Sequence, residues 1–227
     1  MNAPQLSHAQ LGCSLALHTT TPQLGLVLQD AQGNQRQQIL SLGRTMAAEL
    51  HQHLARFIEP QTWQDLQYIA VARGPGGFTG TRLGLVTART LAQQLALPLF
   101  SISTLAAFAW SQGLGQGLGQ GLAQELDVPE LGVVMQAQRG QLYVAVYEAP
   151  RLQGPPIATL AEQVVTPEQW QSLQKQWPRP LKIVVVGENL AASVGSLLAI
   201  AHLSWQQGHR PHWSEALPFY GQSPVKT

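Results

Sequence analysis

A dense run of glycines at residues 74–80, reading Gly-Pro-Gly-Gly-Phe-Thr-Gly, constrains this chain more than any other stretch. The mostly apolar residues 68–72 before it predict a buried strand, and residues 81–96 after it predict a helix. A strand, a glycine loop and a helix in succession present backbone N–H groups to an anion or to a partner. The leading candidate site is therefore the loop with the arginine that follows it: Gly74, Gly76, Gly77, Phe78, Thr79, Gly80 and Arg82.

The composition limits what the chain can bind by itself. Only 11% of its 227 residues are charged, and the net charge is +1. This composition disfavours stable binding to nucleic acid through phosphates alone, because that affinity requires many neutralised phosphates. The single cysteine, Cys13, excludes an internal disulfide and a cysteine-based zinc site and suits a reducing cytoplasm. We expect neither a signal peptide nor a membrane span, since no apolar run approaches the length of about 20 residues that a span requires.

The order of apolar runs and turns divides the chain into two similar halves. Each half has three strands, a helix, a strand and a helix, which predicts an α/β fold of mixed sheets flanked by helices, duplicated as in actin. A Gly/Gln repeat lies in the predicted linker 113–130, between predicted domains 1–112 and 131–227. The predicted strands are 13–17, 24–28, 35–40, 68–72, 99–102, 131–137, 141–147, 157–160 and 181–186, and the predicted helices are 44–58, 81–96, 105–110, 167–176 and 190–203.

Two predicted helices of the first half carry contrasting stripes. In the first helix, Met46, Leu50 and Leu54 recur every four residues and form one apolar face. In the second helix, small residues recur at the same spacing and let another element approach the backbone closely. The sequence leaves open whether this ridge packs inside the fold or against a partner. The ridge consists of Gly84, Ala88, Ala92 and Ala96.

The glycine run and its surroundings closely resemble the motifs of a known family. Residues 74–84, GPGGFTGTRLG, are similar to the GPGSFTGLRIG motif of the TsaB family, also called YeaZ. Residues 15–21, LALHTTT, resemble the LAIDTST of that family. Glu49 falls at the glutamate of its His-Ser-Glu motif, Tyr143 at the tyrosine of its D-A-R-R-x-x-x-Y motif, and residues 217–220 resemble its closing P-x-Y. The resemblance is dense over residues 13–110 and patchy beyond them.

The resemblance implies a bacterial, cytoplasmic protein with the duplicated actin-like (ASKHA, ribonuclease H-like) fold and with no catalytic activity and no cofactor. It implies pairing with a TsaD-like subunit, joined by a TsaE-like ATPase, and contact with tRNA only through that complex. The complex installs threonylcarbamoyl on the adenosine next to the anticodon in tRNAs that read codons starting with A. A homodimer through the same face is also expected. Two first-half helices would form this face, through Met46, Glu49, Leu50, Leu54, Thr81, Leu85, Ala88 and Ala92.

The residue types at the expected catalytic positions agree with a non-catalytic role. His18 and Gln136 stand where the family has aspartates, so two carboxylate positions are empty. His51 and His53 are two residues apart and would point to different sides of a helix, unlike a metal-binding pair at i and i+4. The glycine loop also lacks the lysine of a P-loop. One alternative stays open, a nucleotide-dependent transferase or phosphotransferase that uses the glycine loop, whereas the missing histidine pair disfavours a metallopeptidase.

Overall fold

The fold is built on two mixed sheets, one from each half of the chain. A computed structural model describes residues 12–114, 130–148, 154–187 and 189–221. Residues 1–11 and most of the predicted linker at 113–130 lie outside the described residues. None of the helices described is long and apolar enough to span a bilayer.

The first half forms a five-stranded sheet with three helices. In chain order, its elements are β1 (Cys13–His18), β2 (Gln23–Gln29), β3 (Gln35–Ser41), α1 (Met46–Ile58), β4 (Leu66–Ala72), α2 (Phe78–Leu95), β5 (Leu99–Ile102) and α3 (Thr104–Ala109). The strand order is β3-β2-β1-β4-β5, in which β2 is antiparallel to both neighbours and β4 is parallel to both neighbours. Strands β1 and β4 are almost unbroken apolar runs, because helices cover them on both faces.

The second half repeats this arrangement in a smaller sheet. Its elements are β6 (Glu130–Gln136), β7 (Leu142–Glu148), β8 (Ile157–Val165), α4 (Pro167–Gln176), β9 (Leu181–Val185) and α5 (Val194–Gln206). The strand order is β8-β7-β6-β9, so β6 to β9 correspond to β1 to β4. A capping box at Thr166 and Gln169 starts α4, with a proline in its first turn. The predicted duplicated fold is thereby confirmed.

Two helices lie between the sheets and tie the halves together. Helix α3 of the first half packs against β6 and β7, and α5 of the second half packs against β1, β2 and β4. Their side chains join those of both sheets in one buried cluster that includes Leu105, Tyr147 and Leu197. The helices α1 and α2 cover the opposite face of the first sheet, over Leu15 and Leu17. Each sheet is therefore stabilised partly by a helix of the other half.

The predicted elements are present, and in three of them a boundary differs by more than two residues. Strand β8 continues to Val165 instead of ending at residue 160, because it pairs with β7 along almost its whole length. The turn Leu190–Ser193 is a 3₁₀ helix, so the α-helical part of α5 begins at Val194 and reaches Gln206. Helix α2 begins at Phe78, three residues before the predicted start at residue 81.

Candidate functional site

The glycine loop lies between the turn that follows β1 and the C-terminal segment. The N–H of Gly77 donates to the carbonyl oxygen of Thr20 at 2.7 Å, and the carbonyl oxygen of Gly74 accepts from the N–H of Thr104 at 2.9 Å. Gly74 has a φ of 99°, a conformation that favours glycine. A Cβ atom at Gly74 would also overlap the carbonyl oxygen of Phe219. The loop backbone is thus held on two sides by the chain's own backbone.

Close packing of α2 accounts for the spacing of the other glycines. A Cβ atom at Gly80 would overlap the backbone oxygen of Thr19, and one at Gly84 would overlap the Thr19 hydroxyl. A Cβ atom at Gly76 would lie 2.5 Å from the carbonyl oxygen of Thr20. The hydroxyl of Thr19 donates to the carbonyl oxygen of Gly80 at 2.8 Å across this contact. These glycines allow the start of α2 to lie directly on the turn after β1.

The sequence prediction that placed Phe78, Thr79 and Gly80 in the loop is wrong, because these residues form the first turn of α2. Gly77 has an extended backbone and is the N-cap, and its carbonyl oxygen accepts from the N–H of Thr81 at 2.9 Å. The Thr81 hydroxyl donates to the same oxygen. The loop proper is therefore residues 73–77, which is shorter than the glycine content predicts.

An open cleft of about 960 Å³ lies between the two halves at the start of α2. One wall is formed by residues 19–22, 43, 44, 46 and 47, together with residues 76–80 and Leu83. The other wall is formed by residues 135–138, at the turn between β6 and β7, together with Tyr143. Arg44 is the one charged side chain among the described residues that line it. The cleft can accept a ligand of moderate size, but it offers little charge to a nucleotide–metal complex.

His18 occupies the end of β1 but does not line the cleft. Its side chain is fully buried, and burial lowers its pKa to about 4, so the ring is neutral at physiological pH. Its Nε2 lies 3.5 Å from the Thr20 hydroxyl, and its Nδ1 has no hydrogen-bond partner. A neutral, enclosed imidazole cannot replace the metal-binding carboxylate of an ATPase at this position.

Gln136, at the corresponding end of β6, also brings no carboxylate to the cleft. Its side-chain amide donates to the carbonyl oxygens of Ala137 and Gln141 at 3.3 Å, so it stabilises the β6–β7 turn. Over the part of the chain that the structure describes, no group of three His, Cys, Asp or Glu side chains could hold a metal ion. His53 lies 3.5 Å from Glu49 on α1, whereas His51 is exposed.

The stripes on α1 and α2 point into the chain's own core. Seven of the eight residues predicted for a partner face are buried, with exposed fractions of 5% or less, and only Glu49 reaches the surface. Of the two orientations that the sequence left open for the small ridge, the structure has the inward one. Ala96 is the exposed left-handed C-cap of α2 and leaves the ridge. The buried residues are Met46, Leu50, Leu54, Thr81, Leu85, Ala88 and Ala92.

The C-terminal segment, which the sequence pattern indicated only weakly, completes the site. The N–H of Phe219 donates to the carbonyl oxygen of Arg73 at 2.8 Å, and the Tyr143 hydroxyl donates to the carbonyl oxygen of Tyr220 at 2.9 Å. Arg73 also forms an ion pair with Glu162 of the second half. The segment therefore contacts the glycine loop and the second sheet together. Its only sequence signal is the short motif at residues 217–220.

Arg82 follows the glycine loop on α2 but does not line the cleft. Its guanidinium lies over the Phe78 ring at 5.3 Å, and that ring also packs against Tyr220, at 4.6 Å between centroids. Arg82 lines a separate groove with Phe78 and Tyr220. The glycine loop and Arg82 therefore belong to two different surfaces, although the sequence placed them in one site.

Comparison with known proteins gives consistent results for sequence and for structure. A family model described as TsaD, tRNA N6-adenosine threonylcarbamoyltransferase, matches residues 45–200. The tRNA threonylcarbamoyladenosine biosynthesis protein TsaB of Bacillus subtilis is 33% identical over 128 residues, which are 52% of this chain and 45% of that protein. The TsaB protein of Buchnera aphidicola subsp. Acyrthosiphon pisum is 26% identical over 51% of this chain and 49% of its own length. The chain thus spans about half the length of these curated relatives.

Two solved structures share the fold over nearly the whole chain. YeaZ from Pseudomonas aeruginosa superimposes with a TM-score of 0.69 and 22% identity, covering 92% of this chain and 99% of that one. A second structure, described as an uncharacterized protein with similarity to peptidase YEAZ from the same organism, has a TM-score of 0.71 and 22% identity over 93% of this chain and all of that chain. At this identity the two structures establish the fold alone.

Proposed function

The chain belongs to the TsaD family, in its TsaB/YeaZ group, and from that premise we propose that it is the non-catalytic subunit that pairs with a TsaD-like protein in threonylcarbamoyladenosine biosynthesis. The observation that carries the proposal is the lack of a carboxylate at the ends of β1 and β6 and among the described residues that line the cleft. His18 is buried and neutral at the end of β1, and Gln136 stands at the end of β6. Threonylcarbamoyl transfer to the adenosine next to the anticodon would then be the chemistry of the partner.

The missing carboxylates argue against intrinsic catalysis on chemical grounds. Nucleotide-dependent transfer requires oxygen ligands for Mg²⁺ near the phosphates and a group that positions the nucleophile. Arg44 and the neutral amides of Gln136 and Gln138 are the polar side chains that the cleft offers besides hydroxyl groups. None of these can hold Mg²⁺ as a charged ligand or act as a general base at neutral pH.

The proposed partner face is the exposed side of α1 and α2, supported from beneath by the buried stripes. Ala55 on α1 and Thr90 on α2 are exposed positions of these helices. A helix pair that is rigidly packed on its sheet presents such a surface at little entropic cost. The same surface is available for a homodimer when the TsaD-like subunit is absent. We further propose that a TsaE-like ATPase joins the complex in the cytoplasm and that tRNA is reached only through it, because the net charge is only +1.

Co-expression with the cognate TsaD-like subunit tests this proposal. We expect one complex on gel filtration, and we expect Ala55→Arg and Thr90→Arg to weaken it at least about tenfold while the subunit remains folded. Gln171→Arg, on the exposed face of α4, is the matched control and should leave the affinity unchanged. Absence of any complex with the unmodified chain would contradict the proposed function.

A nucleotide-dependent transferase remains the second candidate, because the open cleft adjoins the N-terminus of α2. Its test is ATP turnover by the purified chain. If turnover is measurable and is lost in Arg44→Gln, the second candidate is favoured over the first. If the purified chain shows no turnover above the background of a mock purification, the second candidate is excluded.

A further inference from the structure

A second groove, of about 470 Å³, follows the flank of α2 that faces the C-terminal segment. One wall carries Arg82, Val86 and Arg89, and the other carries Pro218 and Tyr220. Val86 is 61% exposed, which is unusual for a large apolar side chain in this chain. The groove lies outside the cleft described above, whose lining does not include these residues.

The two arginines of this groove are oriented by aromatic rings but are not neutralised. The Arg82 guanidinium lies over the Phe78 ring at 5.3 Å, and the Arg89 guanidinium lies over the Trp213 ring at 5.7 Å. Stacking of this kind fixes the plane of a guanidinium and leaves its N–H groups free to donate. Across the described residues, ion pairs involve other cations, and neither arginine has a carboxylate partner.

The local sequence offers few groups that could neutralise this charge. Helix α2 contains no Asp or Glu, and residues 216–221 carry no charge. The nearby 3₁₀ turn Trp213–Glu215 has one carboxylate, Glu215, which forms no ion pair with either arginine. Arg82 and Arg89 are seven residues apart, so they lie on the same flank of α2 about 10 Å apart along the axis. The groove therefore has two positive positions with an exposed apolar side chain between them.

We propose that this groove binds an acidic segment of a partner protein, in which two carboxylates flank an apolar side chain. Each carboxylate would accept paired hydrogen bonds from one guanidinium, and the apolar side chain would pack on Val86 and Pro218. Two Glu residues seven positions apart on a helix match the spacing of the two arginines. Thr90, on the face proposed above for the TsaD-like subunit, follows Val86 by four residues, so the groove borders that face.

A protein segment fits this groove better than RNA does. Single-stranded RNA is held by aromatic rings with free faces and by a series of phosphate contacts. The Phe78 ring already packs against Arg82 and Tyr220, and two arginines supply only two phosphate contacts. An apolar side chain between the cations favours a peptide over a phosphate backbone.

Fluorescence anisotropy with a labelled helical peptide tests the proposal on the full chain. The probe is an alanine-based peptide with two Glu residues seven positions apart and one Leu between them, and the control peptide has Gln in place of Glu. We expect the Glu peptide to bind with a Kd below about 1 mM and to weaken as salt is raised. R82Q and R89Q should each weaken binding about fivefold, whereas K175Q on α4 should not, although it removes the same charge.

Charge exchange provides the sharper measurement. The double variant R82E/R89E should no longer bind the Glu peptide. It should instead bind a third peptide, in which Lys replaces both Glu residues. The proposal would be overturned if the unmodified chain bound the Gln and Glu peptides equally or did not bind the Glu peptide at all. It would also be overturned if R82Q and R89Q both bound the Glu peptide as tightly as the unmodified chain does. Arginine-dependent binding of a short single-stranded RNA in place of the peptide would also overturn it. The assay omits the TsaD-like subunit, so its failure would leave the complex proposed above unaffected.

Discussion

The two halves share one strand order but differ in how well their sheets are covered. The first sheet has a fifth strand, β5, beside β4, and α1 and α2 pack on its outer face. The second sheet ends at β9, and among the described residues the one helix in its outer cluster is α4. Ile183 and Val185 on β9 consequently remain 36% and 70% exposed. We therefore expect the first half to tolerate few substitutions on its sheet, and the second half to tolerate more of them on its edge strand β9.

In the first half, the residues that stabilise the fold differ from the residues that a partner could contact. The stripes that the sequence identified on α1 and α2 are fully used in packing, so they cannot also form the surface of a partner face. Whatever binds these helices must recognise the exposed residues between the stripes. The second half supplies β6, β7 and the turn that closes the cleft, and it is less tightly packed at its β9 edge. Substitutions that are matched between the halves test this comparison.

The largest expected effect is that of Ala88→Arg on α2. Ala88 is fully buried against the first sheet, so the variant must bury a guanidinium without a partner or displace α2. We expect a loss of more than about 4 kcal/mol in the free energy of unfolding, enough to prevent folding. Urea denaturation followed by circular dichroism measures it. A folded variant of normal stability would show that the ridge is exposed in solution.

His18 predicts a pH dependence that originates in the first half. Its pKa is about 4 in the folded state against about 6.5 when unfolded, because burial disfavours the charged ring. Between these values the unfolded chain binds one more proton than the folded chain. Stability is therefore complete above about pH 6.5 and falls by about 3 kcal/mol as the pH is lowered to about 4. Urea denaturation from pH 4 to 7 measures this slope.

The control for this prediction is His18→Gln, which should remove most of the slope whatever its effect on stability at neutral pH. His202, whose pKa is also lowered by partial burial, contributes a smaller slope of the same sign. The corresponding position of the second half is Gln136, which does not titrate. An unchanged slope in the His18 variant would show that this ring is not enclosed.

Two glycine-to-alanine substitutions, one in each half, compare how much stability is lost when a single methyl group is added. At Gly80 the new Cβ would overlap the Thr19 carbonyl oxygen, which cannot move without shifting the turn after β1. At Gly132 the new Cβ would approach the ends of two flexible side chains, Ile183 at 2.7 Å and Leu181 at 3.4 Å. We expect Gly80→Ala to cost about 2 kcal/mol, despite its better helix propensity, and Gly132→Ala to cost less than about 1 kcal/mol. Thermal and urea unfolding of both variants measure the difference, and equal costs would contradict the asymmetry.

The sequence predicted local structure better than orientation. The apolar run of β4 and the four-residue spacing on α1 are local signals, and both elements form where they were expected. The start of α2 was misplaced because Gly80 suggested a loop, whereas its role is to let α2 touch the Thr19 backbone. That contact joins residues 61 positions apart, as the hydrogen bond between Thr19 and Gly80 shows. The inward direction of the ridge and the contact of Phe219 with Arg73 are long-range in the same way, so no local pattern encodes them.

The smallest expected effect is that of Val185→Lys on β9. Val185 is 70% exposed, so the change removes little buried apolar area and places the charge in water. Lysine is also a common residue on exposed edge strands, where it discourages pairing with other chains. We expect a change of less than about 0.5 kcal/mol in the free energy of unfolding, and reduced aggregation on heating. A loss as large as that of a buried substitution would mean that another element covers β9, and the contrast between the two sheets would then disappear.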